Sequence, residues 1–353
     1  MLEIELGSLF GDRYQITQLV GAGGMGAVYL ARHPEDPSKK IAIKVLYPGK
    51  VGDFESRERF KNEINALMKV SHPNVVKAYE YFDRDDLQAY VMEFVDSGDL
   101  LDRMKQGPLG LKQSVLYLKQ IISGLYAVHS AGIIHRDLKP DNILVTSEEV
   151  IKLSDFGVAR LRGAATLTLV GTMVGTPKYL SPEYVETGNC DHRGDIFAAG
   201  VIAYEMISGI SPYRSATKVS IIVERLKDEV KSLEEIIPGC PISLSELVSK
   251  AMAIDVNRRY QSALNMLADL EKIEKEIAGM EEPIIEVPTD YKSSSPSIEV
   301  GLTSIELYRD YVLHPSEKRG LAYGAFWVST LAACWIGTLI GKGLIGLIYH
   351  INF

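Results

Sequence analysis

The sequence predicts an α+β fold in two lobes, the first rich in strands and the second in helices, followed by one transmembrane helix. Short apolar runs rich in β-branched residues, at residues 41–45 and 90–95, indicate strands in the N-terminal part. From about residue 111 onward the apolar residues recur at helical spacing. Strands followed by helices are typical of an α+β arrangement. A final apolar stretch over residues 321–341 has the length of a membrane span.

The composition favours a globular protein of a reducing compartment. The chain has 353 residues and a net charge of −8 without a basic stripe, so we expect no nucleic-acid partner. The three cysteines have no CxxC spacing, which argues against a disulfide framework and against a zinc site. Glu3 and Glu5 stand where a secretory signal peptide would carry basic residues, so we expect no such peptide.

The N-terminal lobe is predicted to span residues 14–93. Strands at residues 14–16 and 27–30 flank a glycine-rich turn, and a third strand follows at residues 41–45. Between residues 54 and 70 the charges are dense, while Phe60, Ile64, Leu67 and Met68 recur at helical spacing. This pattern predicts one amphipathic helix.

The C-terminal lobe is predicted to span residues 96–273, with helices at residues 111–131, 196–207, 243–253 and 261–272. Residues 274–318 lack the periodicity of a core and are predicted to form a linker. Within the linker, Thr303 and Glu306 form a capping box, which predicts a short juxtamembrane helix at residues 304–313.

The apolar stretch at residues 321–341 carries no charged side chain. Lys318 and Arg319 precede it and Lys342 follows it, and this basic bias places its N-terminal side in the cytoplasm. The sequence therefore predicts a single-pass protein, held in the lipid bilayer by residues 321–341 and ending in a short tail at residues 342–353.

Small residues recur every four positions through the predicted span, at Ala325, Ser329, Ala333, Gly337 and Gly341. Such a stripe lets two helix backbones approach closely, and on one interpretation it predicts a homodimer. The alternative is that glycine and alanine are simply frequent in membrane helices.

Residues 21–28 have the form G-x-G-x-x-G-x-V, with Gly21, Gly23, Gly24, Gly26 and Val28 as the characteristic residues. A related pattern opens a helix in dinucleotide-binding folds. Here a strand follows the glycines, so the pattern predicts a strand–turn–strand flap whose backbone N–H groups approach phosphates without interference from Cβ atoms.

Lys44 lies in the apolar strand at residues 41–45, where an unpaired ammonium group would be costly to bury. It therefore needs an anion. Glu63, on the amphipathic helix, is the candidate partner, while Glu55 and Glu58 fit less well.

The stretch from His135 to Asn142 and the sequence Asp155-Phe156-Gly157 carry two acids and an amide at spacings suited to a divalent metal ion and a hydroxyl group. Each stretch alone fits an ordinary turn rich in Asp, Asn and Pro. Together, with the glycines and Lys44 upstream, they indicate phosphoryl transfer.

In these motifs the chain resembles the eukaryotic-like Ser/Thr protein kinases of bacteria, over about residues 14–273. Residues 175–177, 181–183 and 191–195 also follow in the order of that family. The resemblance implies the two-lobed protein kinase fold. It further implies transfer of the ATP γ-phosphate to Ser/Thr hydroxyls of protein substrates, with Mg²⁺ or Mn²⁺ as cofactor and the kinase domain in the cytoplasm.

The resemblance also implies a role for each site residue. The glycine loop and Lys44 bind ATP phosphates, Glu63 orients Lys44, Asp137 is the catalytic base, and Lys139 stabilises the γ-phosphate. The metal ligands are Asn142 and Asp155. The remaining positions contact adenine or brace the lobe: Val20, Val28, Ala42, Leu144, the gatekeeper Met92, the backbone of Glu93 and Val95, the pair Glu183–Arg259, and Asp195 beneath the catalytic loop. His135 is assigned a packing role.

Residues 157–181 contain several threonines, of which Thr168 and Thr172 are the preferred candidates for autophosphorylation. Arg136, next to the catalytic Asp137, could pair with such a phosphate and order the loop. The alternative is that these threonines reflect ordinary loop composition.

Two other function classes compete with an active protein kinase. A pseudokinase scaffold is disfavoured because Lys44, Asp137 and Asp155 are all present. A metabolic small-molecule kinase is disfavoured because Ser181-Pro182-Glu183 and a long activation segment are features of enzymes that act on proteins.

Overall fold

The computed structural model describes residues 4–24, 26–33, 35–36, 38–47, 54–84, 87–157, 177–213, 230–283 and 285. These residues lie in the first of two units, residues 1–295. The predicted linker helix, the span at residues 321–341 and its small-residue stripe lie outside the described residues, as do Thr168 and Thr172. In the described part of the chain, no helix is long and apolar enough to cross a membrane.

The N-terminal lobe contains a six-stranded antiparallel sheet in the order β1-β2-β3-β4-β6-β5. Its strands are β1 (Leu9–Phe10), β2 (Tyr14–Ala22), β3 (Gly26–Arg32), β4 (Lys40–Leu46), β5 (Ala78–Arg84) and β6 (Leu87–Glu93). The register places Lys44 between Val28 of β3 and Tyr90 of β6. The lysine that needs an anion therefore lies in the middle of the sheet, as its apolar neighbours in the sequence predict.

Helix α1 (Phe54–Lys69) is the predicted amphipathic helix, and its apolar side chains Phe60, Ile64 and Leu67 are buried. Its C-terminal carbonyl groups are capped by Lys77, whose Nζ donates to Met68 O at 2.7 Å and to Val70 O at 2.9 Å. A cation at this end satisfies unpaired carbonyl groups and opposes the negative pole of the helix dipole.

The C-terminal lobe is helical. Its helices are α2 (Leu100–Met104), α3 (Leu111–Ser130), α4 (Pro182–Thr187), α5 (Arg193–Ser208), α6 (Leu233–Ile236), α7 (Ile242–Ala251) and α8 (Ala263–Ile277), and a hairpin is formed by β7 (Ile143–Val145) and β8 (Ile151–Leu153). Every residue of α5 after Arg193 is buried, because α3 and α7 pack against it. A helix that is buried on all sides lies at the centre of a lobe.

The packed domain extends past the predicted boundary at residue 273. Helix α8 ends at Ile277, and Met280 and Ile285 pack against the core. The Glu282 carboxylate accepts hydrogen bonds from the backbone N–H of Leu111 at 2.8 Å and of Lys112 at 2.9 Å. Helix α3 starts after Gly110, which has no side chain to cap it, so a distant carboxylate caps the helix instead.

Candidate active site

The glycine turn between β2 and β3 is closed by a hydrogen bond from Gly23 N to Gly26 O at 2.9 Å. A Cβ atom at Gly26 would lie 2.1 Å from Val45 O, so only glycine fits there. At Gly21, Gly23 and Gly24, a Cβ atom would meet nothing within 4 Å. The outer face of the turn is therefore open to the approach of a phosphate group.

The catalytic loop brings Asp137, Lys139 and Asn142 together. A 3₁₀ turn over Pro140–Asn142 directs Asn142 back, so that its Nδ2 donates to Asp137 O at 2.8 Å and to Asp137 Oδ2 at 3.2 Å. Lys139 Nζ lies 4.0 Å from Asp137 Oδ2. Because the amide nitrogen of Asn142 is held by Asp137, its oxygen is turned away from that residue and suits a hard cation.

The loop that carries Asp155 is fastened to the catalytic loop through Gly157. Gly157 N donates to His135 O at 2.7 Å. A Cβ atom at Gly157 would lie 2.9 Å from His135 O and 3.2 Å from Asp137 Cβ, so a side chain would push the two loops apart. Asp155 itself has a φ of 52°, a left-handed conformation that is uncommon outside glycine.

Asp195, at the start of α5, holds the catalytic loop from below. Its buried carboxylate accepts hydrogen bonds from His135 N at 2.7 Å, Arg136 N at 2.9 Å and His129 Nε2 at 2.8 Å. Burial acts to raise the pKa of Asp195, but His129 and His135 outweigh it and hold that pKa below its ordinary value. The ionised carboxylate stabilises the left-handed backbone of Arg136, whose φ is 61°.

His135 has the packing role that the resemblance implies. It is buried, and its ring lies 4.6 Å from the ring of Phe156. Its Nε2 lies 3.0 Å from Ser154 O. Burial lowers the pKa of His135, and the contacts of the ring are those of a core residue.

The predicted ion pair between Lys44 and Glu63 is wrong for the described structure. Lys44 Nζ lies 2.6 Å from Asp155 Oδ1, and Glu63 Oε1 accepts from Arg136 NH1 at 2.9 Å. Burial acts to lower the pKa of Lys44, but Tyr90 and Asp155 raise it above its ordinary value. Each cation therefore pairs with another acid than expected: Lys44 pairs with Asp155, and Arg136 pairs with Glu63.

Most of the residues expected to contact adenine are buried or half-buried. Ala42 and Met92 are buried and face each other across β4 and β6. Val28 and Leu144 are half-buried and pack against the same core. Val95 also packs against this core, whereas Val20 is 48 % exposed.

Sequence reasoning assigned Glu93 only a backbone role, and the structure adds a contact of its side chain. The carboxylate of Glu93 pairs with Lys152 of β8, with Nζ 2.9 Å from Oε1. It also accepts from Lys77 N at 3.2 Å. This ion pair joins the end of the sheet to the helical lobe. It could not be predicted from the residues that neighbour Glu93 in the sequence.

The pair Glu183–Arg259 forms in the way the resemblance implies. Arg259 NH1 donates to Glu183 Oε1 at 2.9 Å, and NH2 donates to Oε2 at 2.7 Å. The arginine side chain is fully buried, and its Nε donates to Ala253 O at 2.6 Å. A buried bidentate pair of this kind fixes α4 against the segment that precedes α8.

The strand-rich lobe has an open glycine turn and a central lysine, and in the helical lobe the Asp137 and Asp155 loops are joined. These features define a nucleotide-dependent phosphotransferase of the kinase type. The family model for the protein kinase domain matches residues 14–269, and the chain belongs to this family. It carries a serine/threonine-protein kinase domain.

Several curated bacterial proteins are similar to the chain. A probable serine/threonine-protein kinase of Clostridium perfringens is 36 % identical over 272 residues, which cover 77 % of the chain and 40 % of that protein. PrkC of Bacillus subtilis is 35 % identical, covering 75 % and 41 %. PknL of Mycobacterium tuberculosis is 35 % identical, covering 77 % and 68 %. The chain thus spans about two fifths of the first two of these relatives.

Solved structures share the fold. The crystal structure of the Mycobacterium tuberculosis PknI kinase domain is 24 % identical, with a TM-score of 0.61, and the match covers 77 % of the chain and 99 % of that domain. This likeness supports the two-lobed fold and its strand-rich N-terminal lobe.

Arg259→Ala should destabilise the protein by about 3–5 kcal/mol, because it leaves the partly buried Glu183 carboxylate without its partner. Arg258→Ala is the matched control: Arg258 is 82 % exposed and its nitrogen lies 3.8 Å from Asp255, so its loss should cost less than about 0.5 kcal/mol. Urea unfolding followed by circular dichroism measures both, and equal midpoints for the two variants would contradict this account.

Proposed function

We propose that the chain is a membrane-anchored protein kinase that transfers the ATP γ-phosphate to Ser/Thr hydroxyls of proteins. The observation that carries this proposal is the joining of the Asp137 and Asp155 loops through Asn142 and Gly157. Such a fixed arrangement suits phosphoryl transfer, in which the protein contributes mainly positioning and charge neutralisation.

Each residue has a role in this chemistry. Asp137 accepts the proton of the substrate hydroxyl and aims its oxygen at the γ-phosphate, and Lys139, on the same loop, neutralises charge on the transferred group. Asn142 and Asp155 would hold Mg²⁺ or Mn²⁺ through oxygen atoms, and the bound ion would neutralise phosphate charge. The open glycine turn and Lys44 grip the remaining phosphates.

The pairing of Lys44 with Asp155 and of Glu63 with Arg136 supports regulation of this activity. Arg136 is the arginine expected to bind a phosphothreonine, and in this conformation its guanidinium group is paired with the Glu63 carboxylate. A phosphate on Thr168 or Thr172 would compete with Glu63 for the guanidinium group. Glu63 would then reach Lys44, and Asp155 would be released to hold the metal ion.

Two further parts of the proposal rest on the sequence. The uncharged stretch at residues 321–341 supports a single membrane span, and the need for ATP supports a cytoplasmic kinase domain. The stripe from Ala325 to Gly341 supports a homodimer, which would raise the effective concentration of one kinase domain for the loop of the other.

Lys44→Met and Asp137→Asn should each lower autophosphorylation by at least about a thousandfold, because Lys44 positions the nucleotide phosphates and Asp137 positions the attacking hydroxyl. The assay is transfer of labelled phosphate from ATP in the presence of Mg²⁺. Lys40→Met is the matched control on the same strand: its side chain is 60 % exposed, and its loss should leave the rate unchanged. Nucleotide binding without transfer by the wild type would favour a scaffold instead.

Replacing both Thr168 and Thr172 by Ala should lower activity toward an added protein substrate by about tenfold or more while ATP affinity changes little. The reason is that Glu63 keeps Arg136 when no phosphate competes for it. Thr166→Ala is the control in the same loop. Active enzyme that carries no phosphate on this loop by mass spectrometry would overturn the proposed activation.

In a membrane reporter assay, residues 318–353 should self-associate, and Ser329→Ile with Gly337→Ile should weaken that association because bulky side chains separate the helices. Thr330→Ile with Thr338→Ile places the same bulk off the stripe and should have little effect. Equal association of the two double variants would mean that the stripe reflects composition alone.

A further inference from the structure

A tyrosine lies directly beside Lys44 in the sheet, and the proposed chemistry gives it no role. In the register of β4 and β6, Lys44 is opposite Tyr90. Residues directly opposite each other on antiparallel strands have Cβ atoms about 4.5–5.5 Å apart and share one face of the sheet. Tyr90 is only 6 % exposed. A phenol is therefore buried next to the lysine that is proposed to grip the nucleotide phosphates.

Both side chains project from the face of the sheet that meets α1. The neighbours of Lys44 on its own strand, Ile43 and Val45, belong to the buried core on the other face. Tyr90 belongs to the core that also contains Phe60 of α1. Because successive side chains of a strand point to opposite faces, Lys44 and Tyr90 extend in the same direction, between the sheet and the helix.

The phenol of Tyr90 also lies within electrostatic reach of both members of the Lys44–Asp155 ion pair, in which Lys44 Nζ is 2.6 Å from Asp155 Oδ1. Burial raises the pKa of Tyr90 to about 12, while the charge of Lys44 acts to lower it and that of Asp155 acts to raise it. The phenol therefore keeps its proton at pH 7. A neutral phenol accepts a hydrogen bond from an ammonium group without cancelling the charge of that group.

Lys44 needs such an acceptor in the proposed chemistry. Its side chain is 16 % exposed, and its partner in this conformation is Asp155, which the proposed chemistry assigns to the metal ion. An ammonium group has three N–H donors, and leaving one of them buried without an acceptor is costly. Glu63 and the phosphates would accept from two of these donors. The oxygen of Tyr90, fixed on the neighbouring strand, is available for the third.

We propose that Tyr90 is a positioning residue of the nucleotide site, whose hydroxyl oxygen accepts a hydrogen bond from Lys44 Nζ when Asp155 binds the metal ion and so keeps the ammonium group directed at the phosphates. The proposal rests on the proposed protein kinase activity. Tyr90 acts through Lys44 and takes no direct part in the transfer.

The test replaces Tyr90 by Phe in the 353-residue chain, which removes the hydroxyl oxygen and keeps the ring. The first measured quantity is the Kd of adenylyl imidodiphosphate, a non-hydrolysable ATP analogue, in the presence of Mg²⁺. We expect this Kd to rise at least about fivefold, because the ammonium group loses one of its fixed acceptors. The kcat/KM for ATP in autophosphorylation should fall by a similar factor.

Tyr81→Phe is the matched control. Tyr81 is opposite Tyr90 on the next strand, β5, but its hydroxyl accepts from Gln88 Nε2 at 2.8 Å. Loss of this hydroxyl should change the Kd of the analogue by less than about twofold, because Tyr81 is separated from Lys44 by a whole strand. Tyr90→Met also lacks the hydroxyl, and it takes the place of Tyr90→Phe if that variant does not fold.

A double-mutant cycle with Lys44→Met shows whether Tyr90 acts through the lysine. In the Lys44→Met background the ammonium group is already gone, so Tyr90→Phe should change the Kd of the analogue by less than about twofold. A merely structural role of Tyr90 would weaken binding by the same factor in both backgrounds, and that result would overturn the proposal.

Tyr90→Phe with the nucleotide affinity and autophosphorylation of wild type would overturn the positioning role and leave the kinase proposal standing. Wild type that neither binds the analogue nor transfers phosphate would overturn both.

Discussion

The catalytic loop depends on one buried carboxylate, that of Asp195. Its two oxygens receive the backbone N–H groups of His135 and Arg136, and His129 supplies a third donor. A buried charge with this many donors is stable only in one geometry of the loop. That geometry includes the left-handed backbone of Arg136, which directs the arginine toward α1 and the next residue, Asp137, toward the other catalytic groups.

Two ion pairs lie around Asp137. Lys44 pairs with Asp155, and Arg136 pairs with Glu63. In this arrangement Asp155 is held by a lysine of the sheet, and Arg136 of the catalytic loop is held by an acid of α1. Lys77 caps the C-terminal end of α1 and keeps that end of the helix in place.

Sequence patterns predicted those features that depend on near neighbours in the chain. Strand and helix positions followed from periodicity, and Asp137 and Asn142, which contact each other, belong to one short motif that the sequence singled out. The partner of Lys44 could not be predicted in this way, because it depends on how far α1 lies from β4. The contacts of Glu282 with Leu111 and of Glu205 with Lys178 also escaped prediction, since they join residues 171 and 27 positions apart. The residues next to an acid in the sequence do not show which distant cation or helix end its carboxylate contacts.

The cap that Glu282 places on α3 has a practical consequence for where the domain can be cut. The family match ends at residue 269, yet the first N–H groups of α3 depend on a side chain thirteen residues further on. A fragment that stops at the end of the family match would lack Glu282 and the last turns of α8. Tolerance of truncation follows hydrogen bonding and burial rather than sequence similarity. The smallest intact form of this domain therefore ends at residue 285 or later, and deletions in the segment after α8 remove part of the fold.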